Sequence, residues 1–307
     1  MKDTIKSGVL TMGAEEVPIV FDCQGNDLIS IIHNPENSSK TGVLIVVGGP
    51  QYRAGSHRQF ILLARVLSQH GIPVMRFDYR GMGDSEGERR SFFEVDDDIK
   101  TALDAFFQYC PKLDQVAIWG LCDAASAALF YAYQDDRVRG LVLLNPWVFT
   151  EEGAAKTYLK HYYWQRIFSK DFWRKIFLLQ FNYRQSFVSL FSTFLKMYKP
   201  KEPGSTSSNS NESEQLALID EDLPLPIRMR ECLQRFSYPV LFILSGRDLT
   251  ADEFREAVKS DDIWQELFKQ QHITRIELPK ADHTFSSAQW RDEVATATLN
   301  WLREKIQ

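Results

Sequence analysis

The sequence predicts an α/β fold, a mostly parallel twisted sheet flanked by helices and interrupted by a helical insertion. Short runs rich in β-branched residues alternate along the chain with longer amphipathic stretches, which is the pattern of βαβ units. The 307 residues are 44% hydrophobic and 25% charged. This ordinary globular composition suffices for one large domain with an insertion or for two small domains, and it excludes collagen-like and wholly disordered chains.

The first half of the chain supplies most of the predicted sheet. Its elements, in order, are a hairpin over 18–22 and 28–33, a strand over 43–47, a helix over 57–69, a strand over 72–77, a helix over 91–109 and a strand over 115–119. The run over 43–47 is apolar throughout, as expected of a strand buried on both faces. Asp96, Asp97 and Asp98 fall near the start of the 91–109 helix, where the helix dipole favours negative charge.

The second half of the chain departs once from this alternation of strands and helices. Strands are predicted over 139–144, 239–244 and 273–278, followed by a closing helix over 286–305, but about ninety residues separate the first two of these strands. We therefore predict a core over 1–149 and 236–307 and a helical cap over 150–235, with a flexible Ser/Asn-rich linker at about 200–226. Residues 156–199 of the cap are rich in aromatic side chains and carry nine basic residues and one acidic residue.

Charge and cysteine usage exclude several classes of function. The formal net charge of −5 gives no overall reason to expect a nucleic-acid partner. The widely spaced cysteines predict free thiols in a reducing compartment, and no spacing indicates a metal site or a cofactor; they are Cys23, Cys110, Cys122 and Cys232. Because no apolar run has the length of a signal peptide core or a membrane span, we expect a cytoplasmic protein, with its oligomeric state left open.

Cys122 is the candidate nucleophile. It lies in the segment Gly120-Leu121-Cys122-Asp123-Ala124, between a predicted strand and a predicted helix, and such a turn exposes a nucleophilic side chain. Small residues at Gly120 and Ala124 suit a crowded turn, and the helix N-terminus stabilises a thiolate. The alternative is that this cysteine fills the core after a buried strand.

The candidate partners of Cys122 follow two later strands. Asp248 comes just after the 239–244 strand, and His283 comes on the loop after the 273–278 strand. The chain order nucleophile, acid, histidine is that of the α/β-hydrolases. We predict a triad in which Asp248 orients His283 and His283 takes the proton of Cys122, with Asp252 as the fallback acid.

An oxyanion hole requires two preorganised N–H donors. One is predicted to be the backbone N–H of Asp123, and the other comes from the loop after the 43–47 strand. Pro50 has no N–H, so the donor there is Gly49 or Gln51. The Gly-Gly-Pro turn resembles the His-Gly-Gly-Pro loop of related peptidases, with Val47 in place of the histidine, and this resemblance favours Gly49. Tyr52 and Arg53, beside this loop, are candidate substrate-binding residues, and the side chain of Asp123 receives no role.

Three segments carry a family resemblance. They are GGPQYR with GSHRQF over 48–60, FDYRGMGDSEG over 77–87 and GLCDAAS over 120–126. Together they resemble the exosortase A system-associated hydrolase 1 family of the α/β-hydrolase superfamily. The resemblance implies an α/β-hydrolase fold and a bacterial hydrolase linked to exopolysaccharide production and protein sorting. The superfamily usually has Ser where this chain has Cys122 and Gly where it has Ala124, and the cysteine resembles that of dienelactone hydrolase.

These observations predict an acyl hydrolase, similar to an esterase or thioesterase, that forms a thioester on Cys122. Two alternatives stay open: an acyltransferase with the same triad, and a non-catalytic scaffold that binds a partner through its cap. The expected substrate is a small-molecule or lipid-linked acyl compound. The basic aromatic cap either lines an acyl pocket or contacts an anionic bilayer as a peripheral membrane element. No recognition motif for nucleic acid accompanies the basic residues.

Overall fold

The computed structural model describes residues 15–49, 51–148, 219–220 and 223–306. The chain divides into two units, one formed by Met1–Phe149 with Glu221–Gln307 and the other by Thr150–Asp220. Most of the predicted cap, with its linker and its basic aromatic segment, lies outside the described residues, so the predictions made for it stay predictions.

An eight-stranded sheet forms the centre of the first unit, with the strand order β1-β2-β4-β3-β5-β6-β7-β8. Strands β1 and β2 form an antiparallel hairpin and β2 pairs antiparallel with β4, whereas the pairs from β4 to β8 are parallel. The predicted fold class is therefore confirmed. The strands are β1 Glu15–Cys23, β2 Asn26–Asn34, β3 Thr41–Val46, β4 Val74–Phe77, β5 Gln115–Leu121, β6 Val138–Leu144, β7 Val240–Arg247 and β8 Ile273–Asp282.

Helices flank this sheet. They are α1 Gln59–Gln69, α2 Asp96–Tyr109, α3 Asp123–Ala132, α4 Leu225–Arg235, α5 Leu249–Lys259, α6 Asp262–Leu267 and α7 Ala288–Lys305. Helix α1 begins at Gln59 instead of the predicted residue 57, because His57 and Arg58 have left-handed φ angles of 53° and 61°. Helix α4 falls within the range predicted for the cap and packs against α3 and α6. No helix within the described ranges is both long and apolar enough to cross a membrane.

Burial on both faces explains why the central strands are continuous apolar runs. In β5, Trp119 packs into the core cluster on the side of α1, where its ring meets that of Phe60 edge to face at 5.5 Å. Its neighbour Ile118 is equally buried, and successive side chains of a strand point to opposite faces of the sheet. Because the strands from β4 to β8 pair in parallel, their carboxyl ends lie at one common edge of the sheet, and the candidate residues follow those ends.

The cysteines agree with the expectation from the sequence. All four are free, with Cys23, Cys110 and Cys232 buried and Cys122 partly exposed. Burial raises the pKa of the Cys110 thiol to about 11 and that of Cys232 to about 12, so these two thiols stay protonated at neutral pH. Cys122 therefore differs from the other three in its access to solvent.

Candidate active site

Cys122 occupies a strained turn between β5 and α3. Its φ of 63° and ψ of −125° lie in a region that non-glycine residues adopt at a cost of about 1–3 kcal/mol. Two main-chain hydrogen bonds hold the turn: the Cys122 N–H donates to the Leu144 carbonyl at 2.9 Å, and the Trp147 N–H donates to the Cys122 carbonyl at 3.2 Å. A Cβ at Gly120 would lie 2.6 Å from the Ala124 carbonyl oxygen, so the turn requires glycine there.

Asp248 and His283 meet at the ends of β7 and β8. The two strands pair in parallel up to Arg247 and Asp282, which brings the residues that follow them together. The His283 Nδ1–H donates to Asp248 Oδ2 at 2.9 Å. Asp248 is buried and also caps α5, where its carboxylate accepts from the N–H groups of Thr250 and Ala251. The carboxylate is thus fixed by the helix that it starts, and it fixes the imidazole in turn.

The third member of the predicted triad lies beside the same imidazole. The hydrogen bond to Asp248 and, next in size, the contact with the Cys122 thiol raise the pKa of His283 to about 10. The structure therefore brings Cys122, His283 and Asp248 together. The fallback acid Asp252 forms an ion pair with Arg255 at 2.8 Å, whereas Asp248 holds the histidine.

The raised pKa of His283 predicts a decrease in stability at alkaline pH. Between about pH 8.5, where the Cys122 thiol of the unfolded chain has also ionised, and about 10, the folded protein holds His283 protonated while the unfolded chain holds it neutral. Because the folded state binds the extra proton, raising the pH across this range favours unfolding. Urea unfolding at several pH values will measure the decrease. In a His283→Gln variant this component should disappear, and an unchanged pH dependence would contradict the prediction.

Two buried polar residues that the sequence reasoning missed tie the strand ends together. The Asn145 amide, after β6, donates to Ser245 Oγ at 2.8 Å and to the His283 carbonyl at 3.1 Å. The Ser245 N–H donates back to Asn145 Oδ1 at 2.8 Å, and its hydroxyl donates to the Asp282 carbonyl at 2.8 Å. These bonds hold the loop of His283 against β6 and β7. A polar residue directly after the apolar run of β6 is the signal that could have indicated Asn145.

The predicted oxyanion loop lies directly against the turn of Cys122. The Gly49 N–H donates to Asp123 Oδ2 at 2.9 Å, and the Ala124 N–H donates to Asp123 Oδ1 at 3.0 Å. Gly49 has a φ of +59°, which glycine adopts without strain. The side-chain oxygen of Gln51, the other candidate in this loop, accepts from the Ser56 N–H at 3.3 Å. The side chain of Asp123 therefore contacts the predicted oxyanion donor.

The two candidate substrate-binding residues are placed differently. Tyr52 is exposed. The guanidinium of Arg53 forms ion pairs with the buried Asp78 and with Asp84, which ties the oxyanion loop to the turn after β4. Burial raises the pKa of Asp78, while the hydrogen bonds from Asp84 and Arg53 oppose that increase. A substrate contact for Tyr52 or Arg53 stays a prediction.

The sequence model of a known family, described as serine aminopeptidase, S33, matches residues 39–280 of the chain. The chain belongs to this family of α/β-hydrolases. The match covers the strands that precede the predicted oxyanion loop, Cys122 and Asp248, and it ends within β8, three residues before His283. The S33 family description names a serine enzyme, whereas this member has Cys122 in the strained turn after β5.

Curated relatives of this S33-family protein match it over short segments. A polyketide transferase of a Penicillium species is 32% identical over 27% of this chain and 30% of its own length. A thiohydrolase of Aspergillus aculeatus is 34% identical over 27% of both chains. An acyltransferase of Aspergillus calidoustus is 28% identical over 37% of this chain and 38% of its own. The chain thus spans about a third of the length of these relatives.

Solved structures resemble the S33-family protein over nearly its whole length. An esterase of Pyrococcus furiosus has a TM-score of 0.62 at 14% identity and covers 96% of this chain and 94% of its own. The protein Est1E of Butyrivibrio proteoclasticus, solved with ferulic acid bound, has a TM-score of 0.59 at 15% identity, covering 94% and 99%. At this identity the likeness supports the α/β-hydrolase fold alone.

Proposed function

We propose that this S33-family protein is an acyl hydrolase, similar to an esterase or thioesterase, with Cys122 as its nucleophile. One observation carries the proposal: the cysteine of the strained turn lies beside an imidazole that is hydrogen-bonded to a buried carboxylate. The three groups follow three different strands and meet at one edge of the sheet, where open α/β sheets place their sites.

In the proposed reaction, His283 takes the proton of the Cys122 thiol and, with a pKa of about 10, holds it at neutral pH. The thiolate attacks the acyl carbonyl carbon, and the resulting tetrahedral oxyanion collapses to a thioester as the leaving group departs with the proton of His283. The neutral imidazole then takes a proton from water, and the hydroxide attacks the thioester. Cys122 leaves as a thiolate beside the protonated His283, and the acid product is released.

The subfamily and its biological setting belong to the proposal as well. The segments 48–60, 77–87 and 120–126 support membership of the exosortase A system-associated hydrolase 1 family. We therefore propose a small-molecule or lipid-linked acyl substrate connected with exopolysaccharide production. The basic aromatic segment of the cap, 156–199, lies outside the described residues and is the segment that would contact a membrane surface carrying such a substrate.

Trapping the acyl-enzyme tests the nucleophile. The protein is incubated with p-nitrophenyl acetate or a short acyl thioester, quenched in acid and analysed by intact mass and peptide mapping. We expect one acetyl group on the peptide of Cys122, and none after Cys122→Ala. The matched control is Cys110→Ala, which removes a buried thiol of raised pKa and should keep the label. Labelling that persists in Cys122→Ala refutes the nucleophile, and no labelling favours the non-catalytic scaffold.

Acyl transfer is the second candidate, because two of the three relatives above have names that describe transferases. An alcohol or amine would take the place of water in the second half of the same reaction. Product partition between acid and ester in the presence of added alcohols separates the two activities. Hydrolysis predicts that the acid remains the main product. Transfer predicts that the fraction of ester among the products exceeds the fraction of alcohol among the nucleophiles in solution.

A further inference from the structure

The carboxylate of Asp123 occupies an N–H group that an oxyanion would need. Its Oδ2 accepts from the Gly49 N–H at 2.9 Å, which is the donor predicted for the loop after β3. Its Oδ1 accepts from the Ala124 N–H at 3.0 Å. The predicted oxyanion donor Gly49 therefore contacts an anion that belongs to the protein.

Gly48 is shaped for this contact. A Cβ at this position would lie 2.2 Å from Asp123 Oδ1, 2.8 Å from the Leu121 carbonyl oxygen and 2.9 Å from the Ala124 nitrogen. Any larger residue would displace the carboxylate or the turn, so glycine at this position leaves the space that the carboxylate fills. The Asp123 side chain is thus packed into the oxyanion loop.

We propose that the Asp123 carboxylate is an internal ligand of the oxyanion donor Gly49 and holds the site closed to a tetrahedral intermediate until it leaves the Gly49 N–H. The inference rests on the proposed function, since an oxyanion forms only if Cys122 attacks a carbonyl. An oxyanion and a carboxylate are both negative and compete for the same donor, and their charges repel in a partly buried site. The carboxylate must therefore be protonated or rotate away for acylation to proceed. Burial raises the pKa of Asp123, which eases protonation.

A comparison of two reactions at Cys122 tests this contact. Iodoacetamide alkylates the thiolate by direct displacement of iodide, and no oxyanion forms. p-Nitrophenyl acetate acylates it through a tetrahedral oxyanion and releases p-nitrophenolate. Removing a nearby negative charge makes the thiol more reactive in both reactions, so the ratio of acylation rate to alkylation rate isolates the oxyanion step. For Asp123→Ala we expect this ratio to rise about tenfold or more, since a hydrogen bond to a charged group is being released.

Two further variants complete the test. Asp123→Asn keeps the size and an acceptor oxygen but loses the charge, so its ratio should rise by less than that of Asp123→Ala. The matched control is Asp282→Asn, which removes the carboxylate next to His283 that bonds Ser286, and its ratio should stay at the wild-type value. Thermal unfolding shows whether each variant is folded.

The outcomes separate the inference from the proposed function. If wild type is acylated and Asp123→Ala has an equal or lower ratio, Asp123 positions the loop or plays no part, and the inference is overturned while the proposed function stands. If iodoacetamide alkylates Cys122 but neither protein is acylated, the proposed function fails and the inference fails with it. Acylation that appears only after Asp123→Ala supports both.

Discussion

Asp248→Asn is expected to lower kcat for ester hydrolysis about 10⁴-fold, the loss seen when the triad aspartate of a serine protease becomes asparagine. Asp248 Oδ2 accepts the His283 Nδ1–H at 2.9 Å and so leaves Nε2 available for proton transfer. An asparagine amide can donate to Nδ1, which favours the wrong tautomer. The pKa of His283, about 10 in the native pair, should also fall because its largest cause is removed.

We expect the Asp248→Asn substitution to have little effect on the stability of the fold. Asp248 also caps α5, and asparagine caps a helix N-terminus about as well as aspartate does. The kinetic loss should therefore appear in a protein whose unfolding transition is close to that of wild type. Asp252→Asn is the matched control, since this carboxylate lies four residues along the chain and pairs with Arg255. A near-normal rate for Asp248→Asn with a large loss for Asp252→Asn would reverse the assignment of the acid.

The meeting of Cys122, Asp248 and His283 could be predicted because the sequence around each of them marks the end of a strand. Cys122 and Asp248 each follow an apolar run, and His283 follows a strand in which Ile273, Ile276 and Leu278 stand among polar residues. Such strands pair in parallel, and their carboxyl ends lie together. No pairing between distant residues had to be known. The order of the strands across the sheet was not needed either, since every parallel strand ends at the same edge.

The contacts between distant side chains could not be predicted in this way. Gly49 and Asp123 are 74 residues apart in the chain, and Asn145 and Ser245 are 100 residues apart. Neither pair belongs to a periodic pattern, and the hydrogen bonds depend on how the loops pack after the sheet has formed. The side chain of Asp123 therefore had no predicted role, although its main chain did.

The start of helix α1 was predicted incorrectly from the sequence. His57 and Arg58 have positive φ angles although neither is a glycine, so the periodic pattern extended the predicted helix two residues too far. Helices α5 and α6 were not predicted, yet their start signals were present. Asp248 and Asp261 each precede a helix and cap it by accepting N–H groups two and three residues further on.

The sequence pattern placed Asp98 correctly near the start of α2, but it did not predict the main interaction of this residue, which is an ion pair with Arg80. Its position near the start of a helix predicted a favourable contact with the helix dipole. In the structure Asp98 is 0% exposed, and Arg80, on the loop after β4, is 1% exposed. The Arg80 guanidinium donates to Asp98 Oδ1 at 3.0 Å and to Oδ2 at 2.8 Å, and the Arg80 N–H donates to Oδ1 at 2.8 Å. The pair fastens the loop to α2.

Asp98→Ala is accordingly expected to lower the free energy of unfolding by about 3–5 kcal/mol, because it removes the buried carboxylate that bonds Arg80 and leaves that buried charge with the exposed Asp97, 4.0 Å away. Urea denaturation measures the change. The matched control is Asp114→Ala, whose partner Lys40 is on the surface with 78% of its side chain exposed, and its effect should stay within about 0.5 kcal/mol. The double variant Arg80→Met with Asp98→Leu should recover much of the loss, since two apolar side chains leave no buried charge. A loss below about 1 kcal/mol for Asp98→Ala would mean that water or Gln24, which accepts from Arg80 Nη1, compensates the guanidinium.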